Sequence, residues 1–423
     1  MSWSNWAGNV TASPERIVWP TTTAQVQSIV ARHPRVKAVG AGHSFTSIAA
    51  TDGVLLRLDR MNRVIGRSGD RVRVQAGISL HDLNPRLLAM GLALPNLGDV
   101  DPQSVAGATS TGTHGTGARL HGIAAAVSAL QIVTASGDVL EIDEHHPWFD
   151  AARVGLGALG IVTEIEFACV PAFLLHAREE PMPLGQVLEQ LDDLVEGNDH
   201  FEFYFFPHTD RALVKRNNRV PDDTARAPLS RFRHWLDDEF LSNTVYERVQ
   251  RLTTRRPGLV ERVNDVSGRL LGAREYTDWS HEVFVSPRDV RFRESEFAMP
   301  RGSAREVIGA LRDLHARSPR PVSFPVEVRF TAADDVWLST GHERDNVYIA
   351  VHQYHRVDPT EHFAAAQEIF TAHQGRPHWG KMHTLGAEYF AQRYDRFGDF
   401  LAVRDTLDPQ RRFANDYLRR VLG

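Results

Sequence analysis

The chain has 423 residues, of which 42% are hydrophobic and 24% are charged, and its 48 basic and 53 acidic side chains give a formal net charge of −5. This composition predicts a globular protein of two or three domains and excludes a mainly disordered chain, because the apolar residues suffice for a large core. The slightly acidic balance gives no general attraction to phosphate backbones, so nucleic acid is not expected as a partner.

Targeting signals and cysteines narrow the class further. No apolar run approaches the roughly 20 residues that cross a bilayer, and the first ten residues lack a signal-peptide pattern, so no membrane segment is expected. The single cysteine, Cys169, excludes internal disulfides and cysteine-based metal sites. Both features fit a protein of the reducing cytoplasm.

Residues 1 to about 175 predict a compact α+β unit. Threonines before residue 23 can cap a helix that runs to Arg32, and Ser79 opens a second helix that ends at Gly91. Alternating or continuous apolar runs predict the strands. These strands span residues 36–39, 54–58 and 72–74, a hairpin within 128–142, and residues 161–170, where Cys169 is expected to be buried.

From about residue 176 to 375 the chain changes character. Residues 201–206 read as an aromatic strand, and the arginine-rich stretch 216–275 reads as a solvated helical insertion. The elements that follow predict an antiparallel sheet with helices on one face. They are strands at 290–298, 322–330 and 346–355 and helices at 303–317 and 360–373.

Three glycine-rich segments need to be distinguished. The GxGxxG match at residues 155–160 follows a helical stretch and runs into a strand, which is the wrong context for a dinucleotide-binding Rossmann fingerprint. The loops at residues 39–46 and 104–117 follow the pattern of phosphate cradles, because small residues let backbone N–H groups approach an anion. Either loop alone is equally consistent with a tight turn. His43 lies within the first loop, and a neutral imidazole there can act as a nucleophile.

Strand periodicity brings polar residues onto common faces. A period of two places Glu327 and Arg329 on one face of their strand, and Tyr348 and His352 on one face of the next. In a core sheet this pattern predicts a covered pocket, and the alternative is a solvent-facing salt bridge. The histidines at positions 373, 378 and 383 recur every five residues, a spacing that suits neither a helix face nor a strand face, so no metal site is predicted.

Taken together, these residues resemble the aldonolactone and alditol oxidoreductases of the vanillyl-alcohol oxidase flavoprotein superfamily. The resemblance spans nearly the whole chain, and its specificity lies in the order of the motifs rather than in any one of them. The motifs are WAGN at 6–9, GAGHSF at 40–45, SVAG and STGTHG at 104–115, LGALGIVTEI at 156–165, EVR at 327–329, PHWGK at 377–381 and LDPQRRFAND at 407–416.

The resemblance implies an α+β fold with a PCMH-type FAD-binding domain formed by residues 1–175 and completed by residues 376–423. A cap domain of residues 176–375, an antiparallel sheet with helices on one face, would bind the substrate. FAD would be attached covalently through His43. The implied cofactor-binding residues are Val39, Gly40, Ala41, Gly42, His43, Ser44, Gly98, Ser104, Gly107, Thr111, Gly112, Thr113, His114, Val162 and Lys381.

The resemblance also implies the chemistry. Glu327, Arg329 and Lys381 would be catalytic: the first two orient substrate hydroxyls, with the glutamate assisting proton removal, and the lysine stabilises negative charge on the reduced flavin. Asp99 and His352 would join them in substrate binding. Where alditol oxidases place a serine and a threonine, this chain has Asp99 and His352, so an aldono-1,4-lactone is expected rather than an open-chain alditol such as xylitol or sorbitol.

The electron acceptor depends on Gly98, which the resemblance places beside the flavin. A residue without a Cβ would leave space for oxygen, so an oxidase that produces hydrogen peroxide is expected, with a lactone dehydrogenase using another acceptor as the alternative. Two other classes stay open: a sugar-binding protein without activity, and a flavin enzyme that oxidises amines or phenols. No aromatic cage replaces the Glu/Arg/His face as the second would require.

Overall fold

A computed structural model describes residues 1–230, 246–270, 272–286 and 290–423. The N-terminal part contains a small parallel sheet and a larger antiparallel one. The parallel sheet has the order Arg16–Val18, Val54–Arg57, Val36–Val39. The antiparallel sheet has the order Val139–Asp143, Val127–Val133, Ile161–Ala168, Arg71–Gln75, Val64–Ser68. Two short pairs, Trp3–Ser4 with Thr11–Ala12 and Leu92–Ala93 with Val170–Pro171, complete the strands of this part in the described residues.

The middle of the chain forms one antiparallel sheet of eight described strands. Both neighbours of each central strand run against it, so alternate side chains of adjacent strands stand side by side on one face. The order is Arg274–Trp279, Leu174–Pro183, Arg211–Arg219, His200–Phe205, Val326–Thr331, Asn346–Tyr354, Phe292–Pro300, Arg376–Pro377.

Hydroxyl side chains cap several helices. The Thr22 hydroxyl accepts a hydrogen bond from the backbone N–H of Gln25, and the Ser79 hydroxyl accepts one from that of Asp82, as the sequence predicts. The helices in the described residues are Thr23–Arg32, Leu80–Ala89, Val105–Ser110, Phe149–Arg153, Leu184–Glu189, Leu191–Glu196, Tyr246–Arg255, Val260–Leu270, Ser280–Phe284, Ala304–Arg317, Thr360–Ala372, Ala387–Ala391, Phe397–Leu407 and Asp416–Leu422. None of these helices is both long enough and apolar enough to cross a membrane.

The helices Ala304–Arg317 and Thr360–Ala372 cover one face of the eight-stranded sheet, whereas the helix Tyr246–Arg255 meets the opposite face, where the Tyr354 hydroxyl donates to Glu247 at 2.6 Å. Phe201, Phe203, Val328 and Phe330 pack against the helices Ala304–Arg317 and Thr360–Ala372 in one apolar core. The alternate residues of these strands point to the opposite face, which is also buried. This arrangement follows from the strand period of two and leaves the second face for polar side chains.

The C-terminal segment packs on the N-terminal sheets. The backbone N–H of Val36 donates to the Arg412 carbonyl, and the Asn415 amide donates to the carbonyls of Ser47, Ile48 and Ala50. Phe413 lies in the core formed around the parallel sheet. The chain therefore returns to its beginning after the eight-stranded sheet.

The structure corrects two expectations. The stretch 216–275 is not uniformly helical, because its ends lie in the strands Arg211–Arg219 and Arg274–Trp279 and join the large sheet. Residues 231–245 of that stretch lie outside the described residues. Cys169 is buried as expected, but it lies between two strands rather than within one.

Candidate active site

The two predicted cradle loops touch each other directly. A Cβ placed on Gly40 would lie 1.9 Å from the Ser104 hydroxyl oxygen, so only glycine allows the loops to approach this closely. The Ser104 hydroxyl in turn accepts a hydrogen bond from the backbone N–H of Gly107 at 3.2 Å. The contact brings both glycine-rich segments to one place.

A cavity opens between these loops. Its empty space, counted together with the open solvent at its mouth, is about 960 Å³. Its walls are largely backbone and small side chains, and the rejected GxGxxG segment contributes Leu156, Gly157 and Gly160. Ten predicted cofactor-binding residues line it: Val39, Gly40, Ala41, Gly42, His43, Ser44, Ser104, Gly107, Thr111 and Val162.

Lys37 places a buried amine in the cavity wall, which sequence reasoning missed. Its Nζ donates hydrogen bonds to the carbonyls of Gly157 (3.1 Å) and Phe413 (2.9 Å). Burial lowers the pKa of Lys37 to about 7, although Asp408 opposes this effect. Its short parent strand, Val36–Val39, was recognised from apolar residues, which gave no signal for the lysine.

His43 is held at one end of the cavity as a neutral imidazole. Burial first, and then the nearby Lys381 cation, lower the pKa of His43 to about 4, against the opposing effect of Asp101. The ring stacks against Trp6 with their centroids 5.5 Å apart. A neutral, fixed imidazole is the form that can act as a nucleophile.

The predicted polar face lies on the side of the eight-stranded sheet opposite the helices Ala304–Arg317 and Thr360–Ala372. Glu327 and Arg329 are 4% and 6% exposed, so the alternative of a solvent-facing ion pair is wrong. The strand register sets Glu202 opposite Arg329 and Tyr204 opposite Glu327. The Tyr204 hydroxyl donates to Glu327 Oε1 at 2.5 Å.

Arg329 is the centre of a buried charge cluster. Its Nε donates to Glu202 at 2.8 Å, and its Nη2 forms ion pairs with Glu327 at 2.5 Å and with Asp99 at 3.2 Å. Burial lowers the pKa of Arg329, but the three carboxylates outweigh it and hold the pKa well above the ordinary value. Burial raises the pKa of Glu202, whereas Arg329 and Lys215 together hold it below its ordinary value. Arg329 therefore contacts three acidic groups in a largely buried environment, and Lys215 lies 3.4 Å from one of them, Glu202.

Lys381 forms a second ion pair on the same face. Its Nζ donates to Glu294, and the strand that carries Glu294 also fixes the lysine loop, because the Met382 N–H donates to the Glu294 carbonyl at 2.9 Å. Burial lowers the pKa of Lys381, but Glu294 and Glu296 raise it above its ordinary value. The loop also meets the His43 loop, since the Phe45 N–H donates to the Gly380 carbonyl at 2.6 Å. The cavity end and the polar face are thus adjacent.

His352 joins this face at Glu294. Its Nδ1 lies 3.2 Å from the Pro325 carbonyl, which can only accept, so Nδ1 carries a proton. Its Nε2 lies 3.7 Å from Glu294. One carboxylate oxygen of Glu294, one of Glu327 and one ring nitrogen of His352 all lie within 4.8 Å of one another. The side chain is walled by Phe292, whose ring meets it edge-on. The predicted substrate residues Asp99, Glu327, Arg329, His352 and Lys381 therefore share one buried cluster.

Three more predicted cofactor residues, His114, Thr113 and Gly98, lie beside Tyr348 and Glu296 of the eight-stranded sheet. His114 stacks on Tyr348 with their centroids 3.6 Å apart, and its Nε2 lies 3.3 Å from Glu296. Thr113 and Gly98 lie against it, because a Cβ on Gly98 would meet the His114 carbonyl at 3.1 Å and the Thr113 methyl at 3.6 Å. Of the predicted cofactor-binding residues, Gly98, Gly112, Thr113, His114 and Lys381 are not part of the cavity lining described above.

The Gly98 geometry changes one expectation. The missing Cβ does not face open space but points at the backbone of the loop that carries Thr113 and His114. A methyl group there would press on a carbonyl that must move by a few tenths of an ångström. Gly98 therefore permits a close approach between two loops.

Sequence reasoning missed four acidic or phenolic members of the site. Glu202 and Tyr204 lie on the strand that was read as aromatic, and Glu294 and Glu296 lie on the strand predicted at 290–298. Each pair has the same i, i+2 spacing that identified Glu327 and Arg329. The signal was present, and the alternation of polar residues within an otherwise apolar strand would have found it.

The five-residue histidine spacing does not assemble a cluster. His373 contacts the Ile369 carbonyl, His378 accepts from the Gly380 N–H, and His383 contacts the Tyr417 hydroxyl. Each ring has its own local partner in the described residues.

Comparisons with known proteins define the class first. A family model described as FAD binding domain matches residues 14–143, the part of the chain that contains both cradle loops. A model described as D-arabinono-1,4-lactone oxidase matches residues 165–421. The fold and these matches identify an FAD-binding oxidoreductase.

The particular family follows from whole-chain relatives. The chain is 42% identical to an L-gulono-1,4-lactone dehydrogenase of Mycobacterium tuberculosis, over 100% of this chain and 99% of the relative. It is 36% identical to an L-gulonolactone oxidase of Bos taurus, over 100% and 98% of the two chains, and 32% identical to an alditol oxidase of a Streptomyces species, over 99% and 98%. The protein belongs to the D-arabinono-1,4-lactone oxidase family, which confirms the resemblance stated above.

A solved structure supports the fold. Cholesterol oxidase from Brevibacterium sterolicum matches with a TM-score of 0.82, covering 100% of this chain and 97% of that one, at 15% sequence identity. At this identity the similarity concerns the fold alone. The predicted fold class, an α+β chain with a PCMH-type FAD-binding domain and a large antiparallel sheet, is confirmed.

Proposed function

We propose that the protein oxidises a hydroxyl-bearing carbon of an aldono-1,4-lactone with FAD as cofactor. The observation that carries the proposal is the buried cluster of Asp99, Glu327, Arg329 and Lys381 beside the His43 end of the cofactor cavity. A polyhydroxylated, uncharged substrate matches it, because charged hydrogen-bonding groups can each bind a hydroxyl. The names of the whole-chain relatives support the lactone over other alcohols.

The chain's own residues would bind and orient the substrate. Arg329 and Asp99 hold its hydroxyls, and His352 occupies the space that decides between a ring and an open chain. Glu327 assists removal of the hydroxyl proton, and Tyr204 and Arg329 fix its Oε1. FAD, when bound, supplies the acceptor of the substrate's C–H hydride at its N5 atom. Lys381 supplies positive charge toward that cofactor.

The finer assignments belong to the same proposal. FAD is attached covalently through His43, which is supported by a neutral imidazole in the cavity wall. The FAD-binding domain comprises residues 1–175 and 376–423, and the cap comprises residues 176–375. Oxygen is the electron acceptor, giving hydrogen peroxide. The protein acts in the cytoplasm, which is supported by its single cysteine, Cys169, being buried and outside any disulfide.

The substrate proposal is tested by anaerobic reduction of the bound flavin. Purified protein is mixed with L-gulono-1,4-lactone, D-arabinono-1,4-lactone, xylitol and sorbitol, and flavin bleaching is followed at 450 nm. We expect a lactone to give the highest kcat/KM. Faster bleaching by xylitol or sorbitol than by every lactone would show that the protein is an alditol oxidase instead. No bleaching by any of the four compounds would refute the proposed substrate class.

The covalent attachment is tested by acid precipitation. The wild-type pellet is expected to stay yellow, and His43→Ala is expected to release its flavin into the supernatant. His145→Ala is the control, because His145 is solvent-exposed and is not among the residues that line the cavity. Flavin that leaves the wild-type protein as freely as the His43 variant contradicts the attachment.

A further inference from the structure

Glu294 is the counter-ion of Lys381, the lysine proposed to supply positive charge toward the cofactor. Glu294 is 4% exposed and lies on the strand Phe292–Pro300, two residues before Glu296 on the same face. Its carboxylate accepts a hydrogen bond from Lys381 Nζ. A buried ammonium that is neutralised by a carboxylate presents less positive charge to a third group than an unpaired ammonium does.

We propose that Glu294 controls how much of the Lys381 charge acts on the flavin, both by holding the ammonium in place and by partly neutralising it. This inference rests on the proposed function, which places the flavin next to Lys381. Glu294 is therefore a positioning residue that acts through the lysine. Removing its charge should make the flavin easier to reduce rather than harder.

The backbone makes the pair rigid. The N–H groups of His378 and Met382, on either side of Lys381, donate to the carbonyls of Glu296 and Glu294 at 3.0 and 2.9 Å. The lysine loop is thus bound along the same strand that supplies its counter-ion. The Lys381 ammonium also lies 5.2 Å from the centre of the Phe45 ring, two residues from His43.

Other charges face Lys381 and must be taken into account. Glu296 and Glu327 raise its pKa together with Glu294, while Lys381 itself lowers the pKa values of His43 and His378. Without Glu294, two carboxylates remain to oppose the effect of burial. The pKa of Lys381 is then expected to fall from its raised value, so that the ammonium begins to lose its proton at alkaline pH.

Sulfite is a suitable probe because it adds to flavin N5 and leaves negative charge on the ring, and it requires no sugar substrate. At pH 7.5 we expect Glu294→Gln to bind sulfite more tightly than the wild type, and Lys381→Met to bind it more weakly, each on the order of tenfold. A purely structural role predicts the same direction for both variants. Flavin content is measured for every protein.

Two controls separate the lysine from general loss of buried charge. Glu179→Gln removes a buried carboxylate that pairs with Arg274 on the same sheet, but its strand lies five strand spacings, about 24 Å, from that of Glu294, so a much smaller change is expected. Glu294→Asp keeps the charge but shortens the reach. We expect it to tighten sulfite binding slightly, and it tests the proposal even if the glutamine variant does not fold.

The pH dependence provides a second readout. The sulfite dissociation constant of the wild type is divided by that of Glu294→Gln, so that the ionisation of sulfite itself cancels. This ratio is expected to fall between pH 7.5 and pH 10, because Lys381 deprotonates in the variant alone and sulfite binding to the variant then weakens. The double variant Glu294→Gln/Lys381→Met should lack this fall. Weaker or unchanged sulfite binding in Glu294→Gln, a ratio independent of pH, or no sulfite binding by yellow wild-type protein each overturns the proposal. Failure of the lactone panel with these results intact would instead concern only the proposed substrate.

Discussion

Replacing Arg329 by methionine tests whether one cation organises the polar face. Methionine has a similar length but leaves Asp99, Glu202 and Glu327 without the guanidinium that contacts all three at 2.5–3.2 Å. Their side chains are only 14%, 11% and 5% exposed, so water replaces the lost partner poorly, although Glu202 keeps a cation, Lys215, at 3.4 Å. Breaking a buried ion pair from one side costs about 3–5 kcal/mol, and we expect the free energy of unfolding to fall by that amount at pH 7.5.

Acidification should reduce the deficit. In the wild type the pKa of Glu202 lies below its unfolded value, so its contribution to stability is fully present above the unfolded pKa and is lost only as the pH falls through the lower folded pKa. In Arg329→Met, burial still raises that pKa and, of the two cations that oppose it, only Lys215 remains, so the pKa is expected to rise from its wild-type value. Each carboxylate that takes up a proton recovers about 1.4 kcal/mol per pH unit. The difference between the two proteins should therefore narrow from pH 7.5 to pH 5.5.

The measurement is urea unfolding at both pH values, followed by circular dichroism. Arg412→Met is the control, because the Arg412 guanidinium donates to the backbone carbonyls of Val30 and His33 instead of to carboxylates. Its loss should destabilise the protein by an amount nearly independent of pH. A pH-independent deficit in Arg329→Met, or a loss of less than about 1 kcal/mol, would refute the charge-cluster reasoning.

Two further predictions concern substrate and oxygen. His352→Thr should raise the ratio of kcat/KM for xylitol to kcat/KM for the best lactone about tenfold or more, because the smaller side chain leaves room beside the buried cluster for an open-chain substrate. An unchanged ratio would show that His352 does not discriminate between the two substrates. Gly98→Ala should slow reoxidation of the reduced flavin by oxygen in stopped-flow traces and lower the melting temperature, because the new methyl lies 3.1 Å from the His114 carbonyl. Anaerobic reduction by substrate should change much less, and equally fast reoxidation in both proteins would exclude Gly98 as the oxygen gate.

Local periodicity determined much of this protein. The caps at Thr22 and Ser79, the glycine loop that contains His43, and the shared face of Glu327 and Arg329 all depend on residues within a few positions of one another. Such features follow from backbone geometry and side-chain alternation, which a sequence displays directly. The order of its motifs added the flavoprotein family.

Only the tertiary structure decided the partners. Nothing near Arg329 in the sequence indicates that Asp99 and Glu202 surround it, because those contacts arise from the register between strands and from a loop more than 200 positions away. The Lys381–Glu294 pair likewise joins residues 87 positions apart. A sequence shows each charged residue but not which charged residues meet in the folded protein. Their pKa values and their chemistry depend on that meeting, because charges interact strongly where burial reduces screening by water.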